Sequence, residues 1–277
     1  MFLGELLSVL ENKTAPKFYN NDTENYGIQY GKTDRNKIIT KILITTDLRY
    51  EALHFAVKKK VNMILTFEPL FNGEIRKINQ KLQKRLLLLS KGHFTIFILG
   101  KPFLLAENGV LENIIKMLYL RLEDVITIDN SYNKQLPVGR VCTFKDYLKP
   151  KKKKTFKQLI DRICNNFRTN HIKYVGNFNR ELKRIYLSLE KDLSSDIIQK
   201  AFSLDCNCFL VRRINEDISN SFIDTDICMI ELPFWECIRK SLSALTNTLG
   251  LEFPYDEFIY YECQDLIKSH LYDLISV

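Results

Sequence analysis

The stretch IITKILITTDLRYEALHFAVKKKVNMILTFEP, residues 38–69, decides the fold. Its apolar opening runs to Asp47 and reads as a buried strand over residues 38–47. Ala52, Leu53, Ala56 and Val57 then recur on one helical face across residues 50–60. Residues 62–66 form a second buried strand, and Pro69 stops it. Strand, helix, strand in so short a span is the unit of a parallel sheet, because parallel neighbours need a crossover between them.

Outward from this unit the alternation continues. Residues 2–10 read as an amphipathic helix, and residues 13–37 as loop with one short strand. A basic helix is expected over 75–90, a third strand over 94–99, and a helix over 110–120 after the Asn108-Gly109 turn. Right-handed crossovers would place the strand C-termini on one edge, where sites form. A second unit starts near Asp124. It has a strand over 137–144 with a turn at Gly139, and a helix over 155–167 capped by Thr155. Strands follow at 172–175 and 184–189, then a helix at 194–202 capped by Ser194 or Ser195. Short strands at 208–211 and 226–230 precede helices at 235–249 and 260–275. The expected class is α/β, with mixed and parallel sheets flanked by helices. Residues 1–123 and 215–277 would form a discontinuous first domain, and 124–214 a smaller second one. No tandem repeat is present.

The 277 residues are 45% apolar, which excludes a disordered or fibrous chain and supplies a core without metals or staples. Lys and Arg number 41 against 33 acidic residues, for a net charge of +8. That balance suits a large anionic partner. The seven cysteines are scattered, and the Cys206-Asn207-Cys208 pair lacks zinc or redox spacing, so free thiols in a reducing compartment are expected. The first ten residues carry Glu5 and lack a basic n-region or a cleavage site. No apolar run approaches the roughly 20 residues of a membrane span. The expectation is a soluble, cytoplasmic protein with no membrane partner.

The four histidines, His54, His93, His171 and His270, share no metal-ligand spacing and read as surface or satisfied core residues. No phosphate loop, nucleophile elbow or zinc-helix motif is present. The sharpest charge feature is Lys149, Lys151, Lys152, Lys153 and Lys154, with Lys145 and Lys157 nearby. It reads either as a solvated loop or as a loop contacting RNA phosphates. Lys77, Lys81, Lys84 and Arg85 recur at i, i+4, i+7 and i+8, so one basic helix face is expected there. Lys58–Lys60 and Arg212-Arg213 add to it. Phe253, Tyr255, Phe258, Tyr260 and Tyr261 read as core or interface packing rather than as base-stacking platforms.

Several strings, in order, resemble one family. Glu24-Asn25-Tyr26-Gly27-Ile28-Gln29-Tyr30-Gly31 is similar to its opening Asp-Asn-x-Gly-Leu-x-x-Gly. Leu65-Thr66-Phe67-Glu68-Pro69-Leu70-Phe71 resembles its Ile-Ser-His-His-Pro-Leu-x-Phe signature. Gly100 through Gly109-Val110-Leu111 falls on its His-Thr-x-x-Asp-x-x-x-x-Gly-Val-Asn segment. Pro137-Val138-Gly139-Arg140-Val141 is similar to its glycine strand, and Asp224 through Glu231 to its late Asp-x-Gly-His-x-x-x-Glu element. The family is the NIF-three-like (NGG-one-interacting factor three) family of dimetal, GTP-cyclohydrolase-type proteins.

The resemblance implies two α/β layers, with a site between them for two metal ions held by three histidines, an aspartate and a glutamate. At the six histidine, aspartate and glutamate positions of these motifs this chain has Phe67, Glu68, Gly100, Leu104, Ile227 and Glu231, and only Glu231 matches. Phe, Gly, Leu and Ile offer no lone pair to a metal. The expectation is therefore a degenerate member with no catalytic residue, no cofactor and no dimetal centre, although two leftover carboxylates could hold a water-rich Mg²⁺. A degenerate member rich in Lys, Asn and Ile also resembles a ribosome-bound dormancy, or hibernation, factor. That likeness implies a monomer that fills a tRNA site on the ribosome, the exit site. It would be anchored to ribosomal RNA and ribosomal proteins by its basic residues and would inhibit translation. Two other readings stay open: a weak metal-dependent hydrolase of nucleotides or phosphate esters using Glu68 and Glu231, and a protein–protein adaptor.

Overall fold

The computed structural model describes residues 1–16, 26–71, 73, 75, 77–129, 135–145, 154–214 and 226–263. The stretch 38–69 folds as expected, into β2 (Lys41–Thr45), α2 (Tyr50–Lys58) and β3 (Met63–Thr66), with the two strands parallel. The first sheet has the order β1 (Gly27–Tyr30), β4 (Thr95–Ile98), β3, β2, β11 (Glu257–Tyr261). Only β1 runs antiparallel to its neighbour. The second sheet is mixed, in the order β5 (Leu120–Asp129), β6 (Gln135–Phe144), β8 (Arg184–Leu187), β9 (Cys206–Val211), β10 (Cys228–Glu231), β7 (Tyr174–Val175). The described helices are α1 (Leu3–Thr14), α3 (Gln80–Lys91), α4 (Gly100–Leu105), α5 (Val110–Met117), α6 (Phe156–Phe167), α7 (Ser195–Ser203) and α8 (Phe234–Glu252), besides α2.

Strand alternation explains the layering. Ile42 and Ile44 of β2 and Met63 and Leu65 of β3 enter one large core, while Leu43 and Ile64 face the opposite way. In the second sheet Cys208 and Leu210 of β9 and Ile230 of β10 enter that same large core, and Phe209 and Met229 face outward. The two sheets thus share one core with α1, α5, α6 and α8. The outer face of the first sheet is covered by α2 and α3 through Leu53, Ala56, Leu88 and Leu89. The outer face of the second is covered by α7 through Ile197 and Ala201. Caps define helix starts: Asn79 accepts from Leu82 N–H before α3, and Ser194 accepts from Ile197 N–H before α7.

Several element boundaries differ from expectation. The helix expected over 110–120 ends at Met117, because Tyr119 takes a left-handed φ of 54° and β5 begins at Leu120. The helix expected to start at residue 260 is strand β11 at its described end, with Phe258, Ile259 and Tyr260 in register with Ile42, Leu43 and Ile44. Residues 264–277 lie outside the described ones. β10 pairs in parallel with β9 and so belongs to the second sheet.

Gly139 sits inside β6 and makes no turn. A Cβ there would lie 2.3 Å from the Tyr186 ring, a side chain wholly buried in the second sheet. Gly139→Ala is expected to destabilise the fold by about 1–3 kcal/mol through overpacking. Chemical unfolding would show the lowered midpoint; an unchanged midpoint would mean that Tyr186 moves aside freely.

Candidate functional site

The cleft between the layers is built from strand ends and helix starts. Phe67 and Glu68 follow β3, Gly100 opens α4, Leu104 lies within it, and Phe234 opens α8. These five residues, with Lys101, Leu189, Glu190 and Arg212, line one cavity of about 290 Å³. Of the expected vestigial positions, Phe67, Glu68, Gly100 and Leu104 are therefore brought together. The walls are apolar. Phe67 and Leu104 are buried, and the Phe67 ring stands 6.2 Å from Phe234 and 6.3 Å from Trp235, both edge-on. The Arg212 guanidinium lies 3.8 Å over the Phe234 ring. Lys101 and Glu190, both in the lining, form a 2.7 Å ion pair between α4 and the segment after β8.

Glu68 is anchored through its backbone: its N–H donates to the Thr46 carbonyl at 2.9 Å, and its carbonyl accepts from the Thr66 hydroxyl at 3.0 Å. Burial, then the neighbouring Asp47 charge, pushes the Glu68 carboxyl above its usual range, against the pull of Arg212 and Arg49.

Ile227 and Glu231 lie elsewhere. Ile227 borders a cavity of about 340 Å³ beside Arg180 and Asp226. Glu231 borders another of about 420 Å³ beside His171 and Lys173. Its Oε2 accepts from Ile214 N–H at 3.0 Å, and its Oε1 lies 3.7 Å from Lys173 Nζ. At about 3.3 Å per strand residue, the ends of β10 stand far beyond the reach of one metal pair about 3.5–4 Å across. Started at the end of β10, the same Asp-x-Gly-His-x-x-x-Glu spacing runs Glu231-Leu232-Pro233-Phe234-Trp235-Glu236-Cys237-Ile238. The histidine position then falls on Phe234, which lines the cleft, and the glutamate position on the fully buried Ile238. Phe234 was missed by sequence reasoning; the strand-Pro-helix boundary at Pro233 was the signal that could have located it.

Three imidazoles and two carboxylates cannot be assembled from these side chains. The cleft offers the oxygens of Glu68 and of the lysine-paired Glu190, and Phe67, Gly100, Leu104 and Phe234 beside them have no side-chain metal donor. The donor set does not fit a tightly held metal pair. Among the described residues no group of three or more His, Cys, Asp or Glu side chains converges as a metal site. His54, His93 and His171 are exposed, and His270 lies outside the described residues. All seven cysteines are free thiols, and burial pushes Cys142 and Cys206 up to about 12, where a thiol is inert.

The expected basic residues separate. Lys77 precedes α3, so Lys77, Lys81, Lys84 and Arg85 do not form one exposed helix face. Lys77, Lys81 and Lys84 are exposed, whereas Arg85 is half-buried and donates from Nη2 to the Leu70 carbonyl at 2.8 Å. Lys77, Lys81 and Arg85 line a cavity of about 610 Å³ beyond the ends of β2 and β3. Lys157 is exposed and paired with Asp161 at 2.9 Å, and Lys154 is half-buried. Lys149, Lys151, Lys152 and Lys153 lie outside the described residues. Of the C-terminal aromatics, Phe253 packs on Phe258 and Tyr261 on Phe55, while Tyr255 is exposed.

Two α/β layers enclosing a cleft at strand ends define the class. The Duf34/NIF3 (NGG1p interacting factor 3) family matches residues 1–232, and the chain belongs to it. It is 19% identical over 259 residues to a GTP cyclohydrolase 1 type 2 homolog of Clostridium acetobutylicum, covering 90% of this chain and 92% of that one. Reduced HcgD from Methanocaldococcus jannaschii superposes with a TM-score of 0.71 at 18% identity, over 94% of this chain and 97% of that one. A Bacillus cereus protein related to NIF3 gives 0.72 at 11% identity, over 98% and 99%. Among the described residues no helix is long and apolar enough to cross a membrane.

Proposed function

We propose that this protein is a non-catalytic, cytoplasmic dormancy factor that binds the ribosome as a monomer and sterically blocks a tRNA site, the exit site. One observation carries the reading. The cleft where the family resemblance puts two metal ions is walled by Phe67, Leu104 and Phe234, packed ring against ring. Hydrolytic chemistry there would need donors that these side chains lack. What the described surface offers instead is cationic: exposed Lys77, Lys81, Lys84 and Lys157. The sequence adds Lys149 and Lys151–Lys153, outside the described residues. Lysines of this kind bind an RNA backbone through its phosphates and carry no sequence information. Sedimentation with ribosomes over a salt series tests the proposal; a protein that stays off ribosomes at low salt overturns it.

A second reading has its own observation. The Glu68 carboxyl, pushed up by burial, opens on the cleft, and the Clostridium relative is named a GTP cyclohydrolase homolog. On that reading Glu68 would act with a loosely held metal in hydrolysing a nucleotide or phosphate ester. Metal-dependent turnover that is lost in Glu68→Gln would establish it. No turnover with Mg²⁺, Mn²⁺ or Zn²⁺ would dismiss it. A salt-insensitive protein complex free of RNA would favour an adaptor instead.

A further inference from the structure

The cavity of about 610 Å³ beyond the C-terminal ends of β2 and β3 is distinct from the interlayer cleft, and Glu68 and Pro69 border both. Its size is that of small-ligand pockets. One wall is cationic. Lys77 and Lys81 are exposed at the rim, and Arg85 lies one helical turn beyond Lys81.

Arg85 is underpartnered. Its Nη2 donates to Leu70 O, but its Nε is buried with no hydrogen-bond partner. Burial lowers its pKa, and Asp47 is the charge that opposes this. Asp47, however, is already held by Arg49, with contacts of 2.8 Å to Nε and 2.5 Å to Nη2. Arg85 is therefore a partly desolvated cation without a carboxylate of its own, an arrangement that a bound anion relieves.

The lining also carries the carboxylates Asp47, Glu51 and Glu68, of which Asp47 is held by Arg49. These carboxylates repel a phosphate from their own side and accept hydrogen bonds from hydroxyl groups. Cationic and acidic groups in one cavity would favour a ligand that carries both a phosphate and hydroxyl groups.

We propose that this cavity binds a phosphate monoester on a hydroxylated body, its phosphate against Lys77, Lys81 and Arg85 and its sugar hydroxyls towards Glu51 and Glu68. A free nucleoside monophosphate and the phosphorylated 5′ end of an RNA share this chemistry. The site does not depend on the ribosome being the partner.

Calorimetry on the full chain tests it with four probes: adenosine monophosphate, adenosine, and a short oligoribonucleotide with or without a 5′ phosphate. The phosphorylated members are expected to bind at least about tenfold tighter than their unphosphorylated counterparts, as hydrogen bonds to charged groups warrant. Inorganic phosphate should compete. Lys77→Ala with Lys81→Ala, both on exposed side chains, should remove the preference, which keeps the test valid if Arg85→Met fails to fold. Tighter binding of the oligonucleotide assigns an RNA end, and tighter binding of the mononucleotide assigns a free metabolite; either supports the site. Equal binding with and without the terminal phosphate, no binding by any probe, or an undiminished preference in the double lysine variant overturns it.

Discussion

Replacing Arg140 by alanine is expected to destabilise the protein by about 3–5 kcal/mol, the cost of removing one partner from a buried ion pair. Arg140 is 1% exposed. Its Nε donates to Glu112 at 2.6 Å, its Nη1 to the Pro137 carbonyl at 2.7 Å and its Nη2 to the Leu105 carbonyl at 2.8 Å. One guanidinium thus ties β6 to α5 and to the end of α4, the helix that supplies Gly100 and Leu104 to the cleft. Burial already raises the Glu112 carboxyl, and the Arg140 charge is the main force holding it down. Without Arg140 its folded-state value rises further above the unfolded one. The penalty is then present at neutral pH and fades as pH falls through the folded-state value. Urea unfolding at several pH values checks both parts. Arg140→Met combined with Glu112→Gln should recover much of the loss, because no unpaired charge remains. A single-variant cost below about 1 kcal/mol would place the pair among solvated surface bridges.

Ribosome affinity is expected to fall about 10³–10⁵-fold between 50 and 200 mM salt, the behaviour of a protein making 6–10 phosphate contacts. The exposed lysines supply that number: Lys77, Lys81 and Lys84 near α3, and Lys58, Lys59 and Lys60 at the end of α2. Each lysine that touches a phosphate adds roughly 0.7–0.9 to the slope of log affinity against log salt. Changing Lys151 through Lys154 to alanine should therefore flatten the slope as well as weaken binding. A flat salt response with intact affinity would assign the interface to protein contacts and not to RNA.

Much of the fold was legible because strands and helices carried their periods. Residues 38–69 placed two parallel strands and a crossover helix, and Thr155 and Ser194 marked helix starts. β5 was hidden because its apolar alternation breaks at Asp124-Val125, beside a register shift against β6, so it reads as two fragments too short to announce a strand. β11 was hidden because its evidence is long-range: its ladder partner is β2, more than two hundred residues earlier. In the site, Phe67, Glu68, Gly100 and Leu104 were legible only through the family resemblance, whose motifs fall on them. Phe234 was not, because an apolar residue after a proline carries no chemical signal; only its ring beside Phe67 reveals that it lines the cleft. Arg85 misled for a different reason. Helical spacing says which residues share a face, and not which face turns inward.

The central claim is that packed side chains have replaced a metal centre between the two layers. Quantifying metals in the purified protein, after dialysis against metal-free buffer, tests it most directly. The account predicts no transition metal retained in stoichiometric amount; two tightly held transition-metal ions per chain would contradict it.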